Sequence, residues 1–400
     1  MKDHRFRLYK VLALAVILVI SVFMAAACSG GSSDSAEEVA EAVNPLTGAT
    51  VSEGFDENSL NQRTVAFVVE NAPEARPQFN MDDPELSPDI VLEGEVEAGI
   101  TRMLWLYADY NKLPERIGPM RSARPPYIRF SELFDSVFIH WGQSASKGAY
   151  VGADTVFEQD EVDHINQTEI ADKTGLFDRD STRNVSMEHT GIAYGAKVPA
   201  ALEEAAVRME PKDYTHLDFS KLAWLVSVKP AQYVRVTYSD RAAWERTAFT
   251  YDPEDQKYHT GNFQNDFSRD NLLILFDKTE YVEKENYKGE VGASVTYCDY
   301  ALGGGKGYLM SQGTFKDIEW RVEDGKLVLI DVEATKALQE KAAAEAESEE
   351  AEDKADDEEE GPVEARAYLY PGKTWIGWVS SNNGGAVDIA GSAEETSAAE

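Results

Sequence analysis

The densest group of chemically capable side chains lies in an arginine-rich segment, residues 116–127. It reads Arg-Ile-Gly-Pro-Met-Arg-Ser-Ala-Arg-Pro-Pro-Tyr and follows a predicted strand. A planar guanidinium grips a carboxylate or phosphate through two hydrogen bonds, so one interpretation is an anion-recognition loop. The alternative is structural, with Arg121 and Arg124 in ion pairs with Glu93, Glu95 or Glu97.

A second candidate is the run His140-Trp-Gly-Gln-Ser144 at the end of a predicted strand. A histidine there could act as a general base, with Ser144 as the nucleophile. However, the run lacks the second glycine of the Gly-x-Ser-x-Gly elbow that serine hydrolases use. A hydrogen-bonded or pocket-lining His140 is therefore the favoured interpretation.

A metal site is a third possibility. His140 and His189, with Glu93 or Glu97, could supply two imidazoles and a carboxylate, and the neighbouring polar residues are Arg179, Arg183 and Glu188. No histidine stands at a recognisable ligand spacing, so neither a metal nor a cofactor is expected. The run Asp252–Asp255 lacks the alternating ligands and central glycine of an EF-hand and is typical of a hairpin loop.

Hydrophobic patterns predict the elements that must position these side chains. The β-branched run Thr64–Glu70 predicts a buried strand, and from about Leu222 onward most segments favour strands. Helices are predicted at Tyr127–Phe134 and Pro199–Met209. The further predicted strands are 89–97, 101–107, 136–140, 234–238, 247–251, 272–276, 308–311, 318–322, 327–332 and 375–379. The sequence thus predicts an α+β fold with a mostly antiparallel, β-rich second half.

Trp375 and Trp378 are three residues apart in the last of these strands, so their side chains should point to opposite faces. We expect one to lie in the core. The other is a candidate surface platform for a sugar or a peptide.

The N-terminal segment has the features of an export signal. A basic head, Lys2 to Lys10, precedes an uncharged apolar run, Val11–Ala27, which predicts a secretory signal over residues 1–27. The following Ala-Ala-Ala-Cys28 and Gly/Ser linker resemble a bacterial lipobox. That resemblance implies acylation of Cys28, as with palmitate, and a lipid anchor on the extracytoplasmic face of the cell membrane. A plain signal anchor is the alternative.

The overall charge restricts the possible partners. The chain has 38 Lys+Arg against 72 Asp+Glu, a net charge of −34. That balance argues against a nucleic-acid binder and against electrostatic docking on anionic lipid. Between residues 340 and 360 there are 12 acids and 2 bases, which predicts a disordered insertion at about 337–361. Its alanine-rich start could be helical, whereas the acidic half should be disordered or only transiently helical.

Several segments together resemble the YerB-like lipoproteins, a bacterial family named for a domain of unknown function. The matching segments are Asn44–Gly48, Glu70–Gln78, Asp89–Glu93, Gly99–Arg102, Ile117–Pro125, His140–Ser144 and Leu369–Trp375. The resemblance implies a layered α/β N-terminal domain and a separate β-rich C-terminal domain. It implies no catalytic residue. The predicted division is a signal peptide at 1–27, a tether at 28–43, domains at 44–215 and 216–389, and a disordered tail at 390–400.

The candidate binding residues come from separate segments, mostly at strand ends, so they could converge on one pocket. They are Arg76, Glu93, Arg102, Arg121, Arg124, His140, Ser144 and His189. The first hypothesis is a lipoprotein that binds an anionic envelope ligand, either a glycan, a muropeptide carboxylate or a protein tail. The second is an envelope hydrolase or transferase that uses Glu93 or Glu97 with His140. The third is a non-catalytic interaction scaffold.

Overall fold

The computed structural model describes nine stretches of the chain. They are residues 43–51, 61–168, 173–212, 214–215, 217–225, 229–242, 246–285, 290–349 and 363–391. The predicted signal peptide, Cys28 and nearly all of the predicted tether and tail lie outside these stretches. Within them, no helix is both long enough and apolar enough to cross a bilayer.

Strands outnumber helices in the described residues, as the α+β prediction required. The α-helices are α1 Pro125–Glu132, α2 Ala153–Gln159, α3 Val198–Ala205 and α4 Val332–Glu349. The strands of the first half are β1 Val65–Glu70, β2 Ile90–Glu95, β3 Thr101–Tyr107, β4 Arg116–Ile117, β5 Val137–His140, β6 His164–Asn166, β7 Phe177–Arg179 and β8 Gly191–Tyr194.

The second half contributes thirteen further strands among the described residues. They are β9 Lys229–Pro230, β10 Tyr233–Thr237, β11 Arg246–Asp252, β12 Lys257–Thr260, β13 Phe267–Arg269, β14 Asn271–Asp277, β15 Thr279–Glu285, β16 Ser294–Tyr300, β17 Gly305–Ser311, β18 Thr314–Glu323, β19 Lys326–Asp331, β20 Thr374–Ser380 and β21 Ala386–Ala390. Most of their pairings are antiparallel, as predicted for this half.

One large sheet runs through both halves of the chain. Its strand order is β19-β18-β17-β14-β20-β2-β3-β1-β5-β6, with β9 beside β18. Strand β20 lies between β14 and β2 and is parallel to both. The regions predicted as separate domains therefore share a sheet, which continues across the predicted boundary at residues 215 and 216.

The large sheet is covered on both faces. One face packs against α1 and α2 and includes Trp378, and the other packs against α3 and the five-stranded sheet β13-β12-β11-β10-β21 and includes Trp375. The two tryptophans do point to opposite faces, but both are fully buried. The prediction that one of them forms a surface platform is wrong, because each face of β20 has its own core.

Helix α4 changes the interpretation of the acidic insertion. Its residues Val332–Glu349 are helical, so the disorder predicted from residue 337 does not apply up to Glu349. An alanine-rich start has high helix propensity, which here extends into the first acids of the run. Residues 350–361 of the predicted insertion fall outside the described stretches.

Candidate functional site

Glu97 is the centre of a buried cluster of charges just beyond the end of β2. The Arg124 Nε donates to Glu97 Oε2 at 2.8 Å, and Arg124 Nη2 also contacts Glu97 Oε1. From β3, Arg102 Nη2 donates to the same Oε1 at 3.3 Å. All three side chains are buried. The structural interpretation predicted from the sequence, in which Arg124 pairs with Glu97, describes this geometry.

Electrostatic attraction between the members of the cluster keeps them ionised despite their burial. Burial alone would raise the pKa of Glu97, but the charges of Arg124 and Arg102 lower that pKa far below its ordinary value. Burial and the neighbouring Arg124 lower the pKa of Arg102 to about 10, which keeps it protonated at neutral pH. The cluster is therefore ionised, and Arg102 and Arg124 are already committed to an internal carboxylate.

Arg121 lies in a more accessible cluster. Its Nε is 3.0 Å from Oε1 of Glu70, a buried residue at the end of β1, and its Nη1 donates to the Glu188 backbone oxygen at 3.1 Å. The same Glu70 carboxylate contacts His189 Nδ1 at 2.7 Å through its other oxygen. The Arg121 side chain is 21% exposed and that of Glu188 is 50% exposed. This arrangement leaves part of the Arg121 guanidinium within reach of solvent.

The surface around Arg121 contains further arginines stacked on aromatic rings. The Arg179 guanidinium lies 4.5 Å from the centre of the Trp141 ring, and Arg183 lies 5.2 Å from that of Phe79. Arg179 also donates to Thr190 Oγ1 at 3.2 Å. Such stacking holds the arginines in place through their flat faces.

Glu93, on β2, belongs to a separate network. Its Oε1 accepts hydrogen bonds from Asn71 Nδ2 at 2.8 Å and from Thr101 Oγ1 at 3.0 Å, and its Oε2 accepts one from Trp375 Nε1 at 3.2 Å. Burial raises the pKa of Glu93 despite the nearby charge of Arg76. Arg76 itself donates to Asn71 Oδ1 at 3.2 Å. The network ties the two halves of the chain together; Glu93, Asn71 and Trp375 in it are fully buried, and Arg76 is partly exposed.

His140 lies in an aromatic environment. Its ring is fully buried and stacks on Phe157 at 5.0 Å between ring centres. A carbonyl only accepts hydrogen bonds, so Nδ1–H donates to Gly142 O at 2.7 Å, and Nε2 accepts from His164 Nδ1 at 3.0 Å. Burial and the neighbouring His164 lower the pKa of His140 to about 3, so the ring is neutral.

Ser144 has a local structural role. Its Oγ accepts hydrogen bonds from Tyr150 OH at 2.9 Å and from the backbone N of Ala153, the first residue of α2, at 3.0 Å. The hydroxyl thus satisfies a backbone N–H at the start of the helix. It does not contact His140, so the two do not form a nucleophile and base.

The predicted residues fall into several contact groups rather than one pocket. Neither the cavity of about 620 Å³ nor that of about 290 Å³ is lined by any of the eight. His140 does not contact Glu93 or Glu97, so the acid–base pair of the enzyme hypothesis is not assembled here. Most of these residues have partners from distant segments of the chain, and local sequence patterns do not encode such long-range contacts.

The histidines of the predicted metal site lie in different contact groups. His140 and His189 contact different partners and share no carboxylate. Among the described residues, the candidate ligand group found by geometry is Asp252, Asp255 and His259 on the β11–β12 hairpin. His259 is paired there with the Asp255 carboxylate at 2.9 Å. The hairpin was correctly predicted, but His259 was missed because it lies beyond the acidic run.

Sequence reasoning also missed Glu70, which joins Arg121 to His189. The signal was available, since Glu70 begins one of the segments that resemble the family. Its partners come from residues 121 and 189, so only the folded chain reveals its role.

Comparisons with known proteins agree with the resemblance. The family description "Protein of unknown function (DUF3048) N-terminal domain" matches residues 46–208. The chain is 26% identical to "Putative lipoprotein YerB" of Bacillus subtilis (strain 168) over 297 residues, which cover 71% of this chain and 79% of that relative. The crystal structure of YerB from Bacillus subtilis matches with a TM-score of 0.62 at 22% identity, covering 87% of this chain and 100% of that one. The matched domain, the relative and the shared fold agree with one another and support a YerB-like family for this chain.

Proposed function

We propose that this protein is a lipid-anchored, extracytoplasmic lipoprotein whose folded body binds a carboxylate of a cell-envelope ligand at Arg121. Two observations support the anchor: the lipobox-like sequence ending at Cys28, and the similarity to a Bacillus subtilis protein that is named as a lipoprotein. The binding site rests on one geometric observation, the contact between Arg121 and Glu188.

The Glu188 carboxylate occupies the position that a ligand carboxylate would take. Its Oε2 lies 3.4 Å from both Nη1 and Nη2 of Arg121, so one carboxylate oxygen faces the open side of the guanidinium. Those contacts are long for a charge-assisted hydrogen bond, which is usually about 2.7–2.9 Å. Because Glu188 is half exposed, its release into water costs little, and exposed ion pairs contribute roughly 0–1 kcal/mol.

The inner side of the site is fixed before any ligand arrives. The buried Glu70 carboxylate forms an ion pair with Arg121, 3.0 Å from an Nε that makes no hydrogen bond among the described residues, and it contacts His189 Nδ1 through its other oxygen. A guanidinium anchored from behind loses little conformational entropy when it binds a carboxylate in front.

The charge of the whole chain selects the kind of anion. With a net charge of −34, the protein repels a long polyanion, whereas a single carboxylate meets only the local field of Arg121. Of the three candidate ligands, a muropeptide carboxylate or the carboxylate of a protein tail therefore fits better than an anionic glycan.

Titration calorimetry with a soluble muropeptide that carries a free carboxylate tests this site. We expect Arg121→Ala to weaken binding by about tenfold or more, the scale of a charge-assisted hydrogen bond. Glu188→Gln should tighten binding by up to about fivefold, because it removes the internal competitor. Arg321→Ala is the matched control, since Arg321 also lies between two exposed carboxylates, of Glu323 and Glu364.

The gain expected for Glu188→Gln separates binding from a structural role. If Arg121 served only to form an ion pair with Glu188, Glu188→Gln would lower the stability of the protein. Its affinity for the muropeptide would then stay the same, or no binding would be detected in either protein. Equal affinities for the unmodified protein and Arg121→Ala would remove the site from consideration.

The anchor is tested by localisation. We expect Cys28→Ala to release the protein into the medium, because the acyl chains supply the membrane affinity. Fractionation of cells and medium measures the outcome, and continued membrane retention of the variant would contradict lipidation at Cys28.

A further inference from the structure

Arg179, at the end of β7, places a second guanidinium close to that of Arg121. Both arginines contact the backbone of one short 3-10 turn, Met187–His189. The Nη1 group of Arg179 donates to the backbone oxygen of Met187, and the Nη1 group of Arg121 donates to the next backbone oxygen, that of Glu188, at 3.1 Å. The two guanidinium groups therefore lie beside adjacent carbonyl groups.

Trp141 provides a second link between the two arginines. Its backbone N donates to the backbone oxygen of Arg121 at 3.0 Å, and its ring carries the Arg179 guanidinium at 4.5 Å. Consecutive Cα atoms are about 3.8 Å apart, so contacts with adjacent carbonyl groups keep the two guanidinium groups within roughly 10 Å of each other. One small ligand can span that distance.

The Arg179 guanidinium is held in place but keeps donors available to a ligand. One flat face stacks on Trp141, and Nη1 also donates to Thr190 Oγ1 at 3.2 Å. The residue is exposed, and its Nε and Nη2 have no hydrogen-bond partner among the described residues. That edge of a guanidinium can bind a carboxylate through two parallel hydrogen bonds.

Arg179 also has no counter-charge in the described part of the chain. The adjacent carboxylate, of Asp178, accepts hydrogen bonds from the Arg179 backbone N at 2.7 Å and from Tyr194 OH at 3.2 Å, and it forms no ion pair with the guanidinium. In a chain with 72 acids and 38 Lys+Arg, an exposed arginine without a carboxylate partner is unexpected. Arg121, by contrast, already faces Glu70 and Glu188.

We propose that the ligand carries two carboxylates, the second of which binds Nε and Nη2 of Arg179. This inference rests on the proposed function, which assigns the first carboxylate to Arg121. The chemical class that fits is the end of a peptide with an acidic last residue, because its terminal and side-chain carboxylates lie only a few bonds apart. Binding at two planar groups fixes the orientation of the ligand as well as its position.

Two short acetylated peptides test the second contact by titration calorimetry with the full-length protein. One ends in glutamate and the other in glutamine, so they have the same length and nearly the same shape, and both keep the terminal carboxylate. We expect the peptide ending in glutamate to bind about tenfold more tightly, the scale of one charge-assisted contact.

Arg179→Gln is the decisive variant. It should lower the affinity for the glutamate peptide to that for the glutamine peptide, and it should leave the affinity for the glutamine peptide and the Tm unchanged. Arg116→Gln is the matched control, since Arg116 lies in the same three-stranded sheet and stacks on Phe79 at 4.5 Å, but forms an ion pair with Asp180 at 3.2 Å. The control should keep the preference for the glutamate peptide.

Equal affinities for the two peptides in the unmodified protein would overturn the inference, as would a preference for glutamate that persists in Arg179→Gln or disappears in Arg116→Gln. The proposed function would survive each of these results if Arg121→Ala still weakened binding of the glutamine peptide. An unchanged affinity of Arg121→Ala for the glutamine peptide, or no binding of either peptide, would contradict the carboxylate site at Arg121 and the two-point contact together.

Discussion

At the residue scale, Glu97 shows what burial does to charged groups that could otherwise bind a ligand. One carboxylate is shared by Arg102 and Arg124, and none of the three is open to solvent. A buried charge is tolerated only when it is paired and hydrogen-bonded, so each member of this cluster needs the others.

Glu97→Gln should therefore destabilise the protein strongly. The neutral amide leaves Arg102 and Arg124 as buried cations without a counter-charge, and breaking such a pair costs about 3–5 kcal/mol. Urea denaturation measures the change in the free energy of unfolding. Glu323→Gln is the control, because Glu323 pairs with Arg321 in the open and should change stability by less than about 0.5 kcal/mol. A loss below about 1 kcal/mol for Glu97→Gln would contradict the structural role of the cluster.

His140 makes stability depend on pH in a definite direction. Burial lowers the pKa of His140 to about 3, whereas its unfolded value is 6.5, so only the unfolded chain takes up this proton between those values. The contribution of the neutral His140 ring to the free energy of unfolding is fully present above pH 6.5. As the pH falls from 6.5 towards 3, the free energy of unfolding decreases by about 1.4 kcal/mol per pH unit. His140→Phe should remove this loss.

The measurement is the free energy of unfolding at pH 7.0 and pH 5.0 for both proteins. The unmodified protein should lose more stability over that interval than His140→Phe. His259→Gln is the control, because His259 lies on an exposed hairpin beside two carboxylates that raise its pKa despite its partial burial. Parallel pH profiles for the unmodified protein and His140→Phe would show that His140 titrates normally.

At the element scale, β20 is the strand that joins the two halves. It is parallel to β2 on one side and to β14 on the other, and each of its seven residues is buried. A strand covered on both faces needs apolar side chains at successive positions, which explains the run Trp-Ile-Gly-Trp-Val. Trp375 and Trp378 anchor it in different cores.

Trp378→Ala should cost about 3–5 kcal/mol, the range for truncating a large aromatic side chain in a core. The Trp378 ring stacks on Tyr300 at 4.1 Å between ring centres and contacts Phe130 at 5.3 Å, so the cavity left behind cannot close easily. Denaturant unfolding gives the loss. Tyr368→Ala, at an exposed aromatic just before β20, should change stability by less than about 1 kcal/mol. Similar small losses for both variants would argue against this packing.

At the scale of the whole molecule, the two halves share hydrogen bonds and cores. The N-terminal half ends its part of the sheet at β2, and the next strand, β20, comes from near the C-terminus. Without β20 and β14, the edge of β2 and the apolar faces beside it would meet water.

A fragment comprising residues 43–215 should therefore not fold cooperatively on its own. It lacks Trp375 and Trp378 and leaves a long, apolar strand edge unpaired, a feature that promotes aggregation. Circular dichroism with urea and a two-dimensional NMR spectrum provide the measurement, with residues 43–391 as the control. A sigmoidal transition and a dispersed spectrum for the fragment would support a separate N-terminal domain.

Much of the local structure could be predicted. The strand at Thr101–Tyr107 was predicted to the residue, and the ten other predicted strands match observed strands within a few residues, since continuous apolar or β-branched runs favour strands. Ten further strands of the described residues were not predicted, namely β4, β6, β7, β8, β9, β12, β13, β15, β16 and β21. Helix α1 was expected at Tyr127–Phe134 and begins two residues earlier, at Pro125, because proline suits the first helical turn. The pairing of Arg124 with Glu97 is one of the two interpretations that the arginine-rich segment allows, and the structure contains it.

By itself, the sequence indicated the resemblance to the YerB-like lipoproteins, the strand-rich α+β class and the residue types available for recognition. Only the tertiary structure decided which charged groups form ion pairs inside the protein and which remain accessible to solvent. Arg124 and Arg121 stand three residues apart in the same segment, yet one is buried on Glu97 and the other faces the exposed Glu188. The difference arises because strands from distant parts of the chain bury one carboxylate and leave the other at the surface, and pairing over such distances is not encoded in local periodicity.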